Sequence, residues 1–477
     1  CRLVEGIPLL QLGEDVKLKC KSCDCLPNRN IRLFVTPLTH FHTPLMVSLL
    51  PLMTPSHYSV WLKDGNDDCL GLTPAWLFLS DNKGLMLYLR QSDFSYQQTL
   101  LNEDLLTSLK KLFLATPCPA YTLSDGFTGG LMGWMSYPKS SRANSEKICF
   151  PSLCLGFYDA FIRPNDEGLV HLYAPSEILT KNILTQLQTS PTPHPFILTE
   201  PFQALMSKRD YQSAFACVQD YLHSGDCYQV NLAQAFKAQC TGQSIDAFQR
   251  LLALSQPPYA AYVSCPFGDI LSLSPELFLQ FSEDGQVLTR PIKGTRPRRQ
   301  DSDEDLAQFN DLASHPKDHA ENVMIVDLLR HDLGKHAAIG SVKVPKLFSV
   351  ESFPQVHHLI SDVSCRLKQD SSPLDLLFDA FPGGSITGAP KKRAMEIIDE
   401  LENCDRAIYC GTIGYLTTRG CGQWNIAIRT LLRVEDTIYA WAGGGIVADS
   451  VCESEYEECF NKIGAMLKAL EDDFLTK

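Results

Sequence analysis

The sequence predicts an α+β fold built mainly from antiparallel strands. Amphipathic helical patterns and short segments of strand-like alternation both occur along its 477 residues. They come in mixed order, with several hairpin signals and no regular alternation of strand and helix. That order favours α+β over a doubly wound parallel sheet. With 44% apolar residues, the chain is long enough to bury a large core.

The two halves of the chain differ in texture. The first half holds short strand-like pieces (SVWLKD, LCLGFYDAFIRP, GLVHLYAP) among many breakers. A stretch rich in Ser, Pro and Thr, TSPTPHPF at 189–196, is typical of a connection. We therefore expect an N-terminal region over residues 1–195 and a second domain, which holds the candidate chemistry, over residues 205–475.

Regular elements follow this connection. Ser207 and Asp210 have the spacing of a capping box before an apolar helical pattern, and Gly225 ends that pattern. A strand is predicted over QVNLAQAFKAQC, and a hairpin from DILSLSPELFLQF and QVLTRPIKG. Further helices are predicted over DHAENVMIVDLLRHDLGKH, APKKRAMEIIDELENC and ESEYEECFNKIGAMLKALEDDF. Strands are predicted between the last two, over AIYCGTIGYLTT, QWNIAIRTLLRV and TIYAWAGGGIVA.

Charge and composition exclude several partners. A net charge of −13 argues against nucleic acid or an anionic membrane surface as the main partner. No apolar run is long enough to span a bilayer, and no signal-peptide pattern opens the chain. Most of the 18 cysteines stand in apolar segments, which predicts reduced thiols and a cytoplasmic protein. Cys20, Cys23 and Cys25 lack a second cysteine pair, so they are only a weak zinc signal.

Carboxylates gather on two predicted helices. Glu455, Glu458 and Lys462 fall within one narrow sector of the last helix, at the edge of its apolar stripe. Glu321 stands just before an apolar run on an earlier helix. Converging carboxylates repel each other unless a cation lies between them, and Mg²⁺ prefers such oxygen ligands. The alternatives are a solvated face with a Glu458–Lys462 pair and an acid favoured by the helix dipole.

Two glycine-rich stretches could approach an anion. PGGSITGAPKKRA (382–394) leads into a helix, with Thr387 as a candidate cap, and can present backbone N–H groups. WAGGGIVADS (441–450) follows a strand, and its glycines Gly443–Gly445 permit close backbone approach. Neither stretch has the spacing of a known nucleotide-binding loop, and a tight turn is the alternative for each.

Four basic side chains complete the set. His357 and His358 stand on a strand-like segment, where alternation sends them to opposite faces. Arg429 lies within an apolar strand pattern and needs a partner, either a bound carboxylate or a structural carboxylate. Lys293, in RPIKGTRPRR at 290–299, is either a solvated charge or a reactive amine. These residues predict a magnesium-dependent enzyme acting on a small carboxylate.

Long motifs in one order then identify a resemblance. GDCYQVNLAQAF, LSLSPELF, RPIKGTRPR, AENVMIVDLLRHDLG, VHHLISDV, FPGGSITGAPKKRAMEIIDELE, GTIGYL, IAIRTLL and AGGGIVADS span roughly 270 residues. This stretch resembles the chorismate-utilising enzymes, and GGLMGWMSYP adds a weaker match before it. The resemblance implies a large mixed domain in which antiparallel sheets pack as a sandwich flanked by helices.

Two positions distinguish branches of that family. Lys293 stands where the anthranilate-forming members usually carry alanine, and Gln229 where the isochorismate-forming members carry a water-activating lysine. The resemblance therefore implies amination of chorismate to 4-amino-4-deoxychorismate, a precursor of p-aminobenzoate and folate. The alternatives are an anthranilate synthase component I and a non-catalytic chorismate-binding subunit.

The resemblance also implies residue roles. Lys293 would attack ring position 2, and Glu276 would protonate the departing 4-hydroxyl. Glu321, Glu455 and Glu458 would surround Mg²⁺. The substrate would be held by His358, Tyr409, Arg429, Gly443, Gly444, Gly445 and Lys462, with Thr387 in the adjoining loop. A neighbouring cation or desolvation would lower the pKa of the lysine, and Arg290, Arg296 and Arg298 are candidates for that cation.

Partners follow from the same resemblance. The chain shows no glutaminase nucleophile elbow, so a separate glutamine amidotransferase subunit would supply ammonia. Relatives often hold tryptophan in an N-terminal pocket. Here Pro51 stands where serine is expected, so no tryptophan binding is predicted.

Overall fold

The computed structural model describes residues 34–42, 58–64, 67–81, 83–117, 123, 126–142, 145–188 and 194–476. Cys20, Cys23 and Cys25, the zinc candidates, lie outside the described residues, and so does Pro51. Within the described ranges, no helix is long and apolar enough to cross a membrane.

Strands supply most of the regular structure. Those of the first half are β1 (Phe34–His42), β2 (Ser59–Asp64), β3 (Asp67–Gly71), β4 (Trp76–Asp81), β5 (Gly84–Arg90), β6 (Tyr96–Leu101), β7 (Gly130–Met135), β8 (Leu153–Tyr158), β9 (Phe161–Pro164), β10 (Leu169–Ala174) and β11 (Ile197–Leu198). Those of the second half are β12 (Gln203–Ala204), β13 (Gln229–Thr241), β14 (Tyr259–Cys265), β15 (Gly268–Ser274), β16 (Leu277–Phe281), β17 (Gln286–Arg290), β18 (Ile292–Pro297), β19 (Lys343–Ser352), β20 (Val356–Arg366), β21 (Gly388–Ala389), β22 (Thr412–Thr417), β23 (Gly422–Asn425), β24 (Thr430–Val434) and β25 (Thr437–Ile446).

Helices flank these strands. They are α1 (Leu105–Ala115), α2 (Glu177–Gln188), α3 (Lys208–His223), α4 (Ser244–Ser255), α5 (Ser302–Ser314), α6 (Pro316–Gly334), α7 (Pro373–Ala380), α8 (Lys391–Leu401) and α9 (Cys452–Phe474). The predicted cap of α3 is confirmed, because the Ser207 side chain accepts a hydrogen bond from the Asp210 main-chain nitrogen.

The strands form two large antiparallel sheets, which confirms the α+β prediction. The first has the order β1-β10-β9-β3-β2-β14-β15-β24-β25-β13-β11, and β12 and β21 also pair with β13. The second has the order β18-β20-β17-β16-β23-β22-β7-β8-β4-β5-β6, with β19 on β20. Trp61 of the first sheet and Trp134 and Trp424 of the second belong to one hydrophobic core. Each sheet contains strands from both sides of residue 195, and the division of the chain there stays a prediction.

Two strands predicted as continuous are in fact divided between the sheets. DILSLSPELFLQF breaks at Pro275–Glu276, which separates β15 in the first sheet from β16 in the second. QWNIAIRTLLRV likewise breaks between β23 and β24, so Arg429 lies in a crossing segment and not within a strand. Proline has no N–H to donate to a ladder, which favours the first break. Periodicity alone does not reveal such breaks, because both arms of each crossing are buried.

The two crossings lie side by side. The Ile426 main-chain nitrogen donates to the Glu276 carbonyl oxygen at 3.0 Å, and the Ser274 hydroxyl donates to the Ile426 carbonyl at 2.6 Å. The Leu273 nitrogen donates to the Arg429 carbonyl at 3.0 Å. These bonds satisfy backbone groups that have left their ladders, and they fix Glu276 and Arg429 at the junction of the sheets.

Candidate active site

Lys293 is directed into the protein by an irregularity in β18. The register of β18 against β20 shifts between Ile292 and Thr295, and Gly294 takes a φ of +89°. A bulge of this kind redirects a side chain and suits glycine at the left-handed position. The Lys293 amine donates a hydrogen bond of 3.1 Å to the Ser385 carbonyl oxygen. The lysine is therefore held within the site and is not a solvated turn residue.

Ser385 connects this amine to an acid. Its hydroxyl donates to Glu276 Oε1 at 2.7 Å, and Glu276 is only 5% exposed. Ser385 belongs to the short 3₁₀ turn Gly384–Ile386 within the predicted glycine-rich loop. One loop residue thus contacts the candidate nucleophile through its backbone and the candidate acid through its side chain.

Burial lowers the pKa of Lys293, and the nearby Lys462 charge acts in the same direction. The carboxylates of Glu321 and Glu276 oppose this shift without cancelling it. A lowered pKa increases the fraction of neutral amine, the form able to attack carbon.

The arginines beside Lys293 in sequence have other partners. Arg290 pairs with Asp362 and Glu351, Arg296 with Asp311 and Asp318, and Arg298 with Asp305; these contacts are side-chain ion pairs. The prediction that these arginines lower the lysine pKa is wrong. Each guanidinium is neutralised by carboxylates, and the main cause is burial.

Burial raises the pKa of Glu276 above its ordinary value. The Ser385 hydrogen bond and the Lys293 charge limit that rise, because both favour the carboxylate form. A carboxyl group with a raised pKa retains its proton at higher pH than a solvated glutamate, as a general acid requires.

The carboxylates of α9 lie directly against β25. A methyl group added to Gly444 would come within 2.9 Å of Glu455 Oε2 and 3.5 Å of Glu458 Oε1. Glycine at this position therefore lets both carboxylates approach one point on the strand. The Lys462 amine lies 2.6 Å from Glu458 Oε1 and donates to the Gly443 carbonyl at 2.9 Å, so the predicted i,i+4 pair is present.

Glu321 approaches the same place from α6. The Lys317 amine lies 3.9 Å from Glu321 Oε1 and 3.6 Å from Glu455 Oε1, so one ammonium group stands near acids from two helices. Burial raises the pKa of Glu321, whereas Lys293 and Lys317 oppose the rise. Burial also acts to raise the pKa of Glu458, but Lys462 brings it below its ordinary value.

These side chains fit a hard cation by their chemistry. All three candidate ligands offer carboxylate oxygens, and a positive charge already stands between two of them. In the part of the chain that the structure describes, no three acidic, histidine or cysteine side chains are already close enough together to hold a metal ion. Glu321, Glu455 and Glu458 are the side chains that would hold a Mg²⁺ ion, whose charge would offset their repulsion.

Arg429 is a cation in need of an anion. Its φ of +50° is unusual for a residue with a side chain. Burial lowers the pKa of its guanidinium, and within the described ranges no carboxylate counteracts this. A desolvated guanidinium is costly without a partner, so the position suits a carboxylate supplied from outside the chain.

His358 is neutral near pH 7. Its Nδ1 lies 2.8 Å from the Thr295 hydroxyl, and burial together with the Arg429 charge lowers its pKa to about 4. The predicted alternation holds, since His357 is engaged elsewhere by Ser352 and Asp305.

Tyr409 and Thr387 are also among the predicted substrate-binding residues. Tyr409 is buried, its ring is stacked 6.1 Å from that of Trp441, and burial raises its pKa. Thr387 does not cap α8, because its hydroxyl donates to the Gly383 carbonyl at 3.1 Å and Pro390 takes the cap position. Its predicted capping role is therefore wrong, and a role in substrate binding stays a prediction.

Gln229 is fully buried beside the glycine strand. A methyl group added to Gly445 would lie 2.0 Å from Gln229 Nε2, so glycine makes room for the amide. Among the described residues, neither polar atom of this amide has a hydrogen-bond partner. A buried amide without hydrogen-bond partners suits a site in which a bound polar ligand supplies those partners.

Two residues of the site were not predicted, Ser385 and Lys317. Both stand inside quoted motifs, one in GGSITG and the other in the first turn of α6. A lone serine or lysine carries no signal of its own. Their place in the site follows only from the fold, which brings distant carboxylates close to them.

Comparison with known proteins defines the class. The chain belongs to the chorismate binding enzyme family, whose model matches residues 87–468. It is 44% identical over 385 residues to aminodeoxychorismate synthase component 1 of Escherichia coli, covering 79% of this chain and 85% of that protein. It is 46% identical over 353 residues to the protein of that name from Salmonella typhimurium, covering 72% and 78%.

More distant relatives share the fold. The chain is 36% identical over 373 residues to anthranilate synthase component 1 of Pseudomonas aeruginosa, covering 72% of this chain and 75% of that protein. The crystal structure of anthranilate synthase component I from Streptococcus pneumoniae matches with a TM-score of 0.70 and 27% identity, covering 87% and 93%. A menaquinone-specific isochorismate synthase of Escherichia coli matches with a TM-score of 0.70 at 18% identity, covering 92% and 94%. The last match bears on the fold alone.

Proposed function

We propose that this protein converts chorismate and ammonia into 4-amino-4-deoxychorismate. One observation carries the proposal: the amine of the half-buried Lys293 and the buried carboxyl group of Glu276 meet through a single residue, Ser385. The family and the names of the most similar relatives support the same reaction. Lys293 would distinguish this reaction from amination at ring position 2, because its own bond to carbon 2 would leave carbon 4 as the position that ammonia attacks.

Substrate binding would centre on Arg429, for which no carboxylate partner is found in the described ranges. Arg429 would pair with the carboxylate of the enolpyruvyl group, with Tyr409 and the backbone of Gly443–Gly445 nearby. His358, neutral at pH 7, would hydrogen-bond the 4-hydroxyl. The support for these roles is the desolvated guanidinium of Arg429 and the lowered pKa of His358.

In the first step the neutral Lys293 amine forms a bond to ring carbon 2. The ring double bonds shift, the C4–O bond breaks, and Glu276 transfers its proton to the leaving hydroxyl, which departs as water. Hydroxide is a poor leaving group, so this proton transfer is essential. The lysine nitrogen then loses a proton, which the Glu276 carboxylate can accept.

In the second step ammonia forms a bond to carbon 4. The double bonds shift back, the bond from carbon 2 to Lys293 breaks, and the amine is regenerated with a proton from the incoming ammonia. The sum is chorismate plus ammonia giving 4-amino-4-deoxychorismate plus water. Gln229 has no basic form, so it would not activate water as a competing nucleophile.

Glu321, Glu455 and Glu458 would hold Mg²⁺. When bound, the ion neutralises the ring carboxylate of chorismate. Lys462 would keep Glu458 in place through its contact of 2.6 Å. The support is that Glu455 and Glu458 both lie beside Gly444 and that Lys317 stands near both Glu321 and Glu455.

A glutamine amidotransferase subunit would supply the ammonia, forming a heterodimer with this chain. The relatives named component 1 support a second component. The product would serve p-aminobenzoate and folate synthesis. We further propose a cytoplasmic location, supported by thirteen free cysteines in the described ranges.

One assay tests the reaction. Purified protein is incubated with chorismate, Mg²⁺ and an ammonium salt, and the product is identified by chromatography against standards. We expect 4-amino-4-deoxychorismate. Anthranilate or isochorismate as the main product would refute the proposal and assign the chain to another branch of the family.

A further inference from the structure

The amine of Lys317 lies between the carboxylates of Glu321 and Glu455, a pair that we call the acidic site. It stands in the first turn of α6, four residues before Glu321, and its amine reaches across to Glu455 at the start of α9. The two amine-to-oxygen distances are 3.9 and 3.6 Å. A single ammonium group is thus shared by acids from two helices, and both acids belong to the proposed magnesium ligands.

The burial of the three side chains is unequal. The Glu455 side chain is 6% exposed and that of Glu321 is 18% exposed, whereas that of Lys317 is 45% exposed. The carboxylates are therefore fixed within the protein, and the lysine reaches them from the solvent side. A long flexible lysine stem can withdraw its ammonium into water, which the acids cannot do.

The Lys317 ammonium group and a Mg²⁺ ion would repel each other if both contacted the carboxylate oxygens of Glu321 and Glu455. Two positive groups within about 4 Å of the same carboxylate repel strongly in a partly buried site. Lys462 differs from Lys317, because its amine also donates a hydrogen bond to the Gly443 carbonyl and is anchored there. Lys317 has no comparable second anchor among the contacts of the described residues.

We propose that Lys317 is an internal counter-cation that neutralises Glu321 and Glu455 before the metal arrives and must withdraw when Mg²⁺ binds. It therefore weakens the intrinsic Mg²⁺ affinity and keeps the acidic site folded without metal. The inference rests on the proposed function, since it takes Glu321 and Glu455 as magnesium ligands. It assigns to Lys317 a positioning role in metal binding and no contact with the reacting atoms.

The test compares Mg²⁺ binding to metal-stripped full-length proteins by isothermal titration calorimetry, without chorismate. Lys317→Met keeps the length of the side chain and removes its charge. Lys317→Arg keeps the charge. Lys468→Met is the matched control, because Lys468 is an exposed lysine of α9 for which no ion pair is found among the described residues.

We expect Lys317→Met to bind Mg²⁺ roughly tenfold more tightly than the wild type, since a competing charge is removed. Lys317→Arg and Lys468→Met should bind within about twofold of the wild type. An affinity of Lys317→Met equal to or weaker than that of the wild type overturns the inference. Absence of Mg²⁺ binding by every variant also overturns it.

Thermal unfolding gives a second measurement. In EDTA the Lys317→Met protein should unfold at a lower temperature than the wild type, because two acids lose their counter-charge. Added Mg²⁺ should raise its unfolding temperature by more than it raises that of the wild type. If Lys317→Met does not fold, Lys317→Gln replaces it in both measurements. Equal Mg²⁺-induced shifts for variant and wild type would contradict the inference.

A separate experiment tests the proposed function. Product identification with the wild type shows whether 4-amino-4-deoxychorismate is formed, and the binding comparison involves no turnover. Formation of that product together with unchanged Mg²⁺ affinity of Lys317→Met removes the inference and leaves the function. Another product together with tighter binding removes the function and leaves Lys317 as the counter-cation.

Discussion

The Ser385 hydroxyl donates a hydrogen bond of 2.7 Å to Glu276, while the Ser385 carbonyl accepts one of 3.1 Å from Lys293. The loop that carries Ser385 thereby sets the spacing of the two groups that would react. Glu276 comes from a crossing between the sheets, and Lys293 from a bulged strand of the second sheet. Three distant parts of the chain must fold correctly before the pair exists.

Replacement of Lys293 by alanine should abolish the covalent adduct with chorismate. The proposed bond to ring carbon 2 needs this amine, and no other lysine is bonded to Ser385 in the described ranges. The adduct is sought by mass spectrometry of protein quenched during turnover. Lys343→Ala, at an exposed position on β19, is the control and should keep the adduct. An adduct that persists in Lys293→Ala would place the nucleophile elsewhere.

Replacement of Glu276 by glutamine should lower kcat by roughly 10²- to 10⁴-fold, the range typical of a lost general acid. Glutamine keeps the shape and can still accept from Ser385, so the structure should be retained. The measurement is steady-state kinetics with ammonium as the nitrogen source. Glu283→Gln alters an exposed acid paired with Arg419 and should leave kcat unchanged. A Glu276→Gln enzyme of near-normal kcat would show that the proton comes from another group.

Arg429→Met should separate binding from stability. A charge-assisted hydrogen bond contributes about 1.5–3 kcal/mol, so its loss should lower kcat/KM by roughly 10- to 150-fold. The same change removes a desolvated charge that has no carboxylate partner in the described ranges, so the free energy of unfolding should not fall. Chemical denaturation is measured beside the kinetics. A strongly destabilised variant would mean that the guanidinium has a structural partner.

How far the sequence predicts this site depends on the kind of feature. The helices that carry Glu321 and Glu455 follow from amphipathic periodicity, and their bounds agree closely with the predicted segments. The sequence predicts Glu276 and Arg429 within strands, because alternation continues through positions where the chain changes sheets. The contact of Ser385 with Lys293 joins residues 92 positions apart, and that of Lys317 with Glu455 joins helices α6 and α9, so neither has a local pattern. The sequence also does not decide between a neighbouring cation and burial as the cause of the lowered Lys293 pKa, since burial is a property of the fold.

His358 should make the protein less stable in mild acid. Its pKa is about 4 in the folded protein against 6.5 for the ordinary side chain, so below pH 6.5 the unfolded chain binds a proton that the folded protein excludes. The stability contributed by neutral His358 is therefore complete above pH 6.5 and is lost as the pH falls towards 4. A shift of this size corresponds to about 3 kcal/mol.

His358→Asn tests this, because asparagine can still bond Thr295 but does not titrate. Urea denaturation between pH 4.5 and 7.5 should show a smaller loss of unfolding free energy for the variant than for the wild type. His223→Asn, at an exposed histidine on α3, should keep the wild-type slope. If the His358→Asn and wild-type curves run parallel, folding does not lower the pKa of His358 and this prediction is wrong.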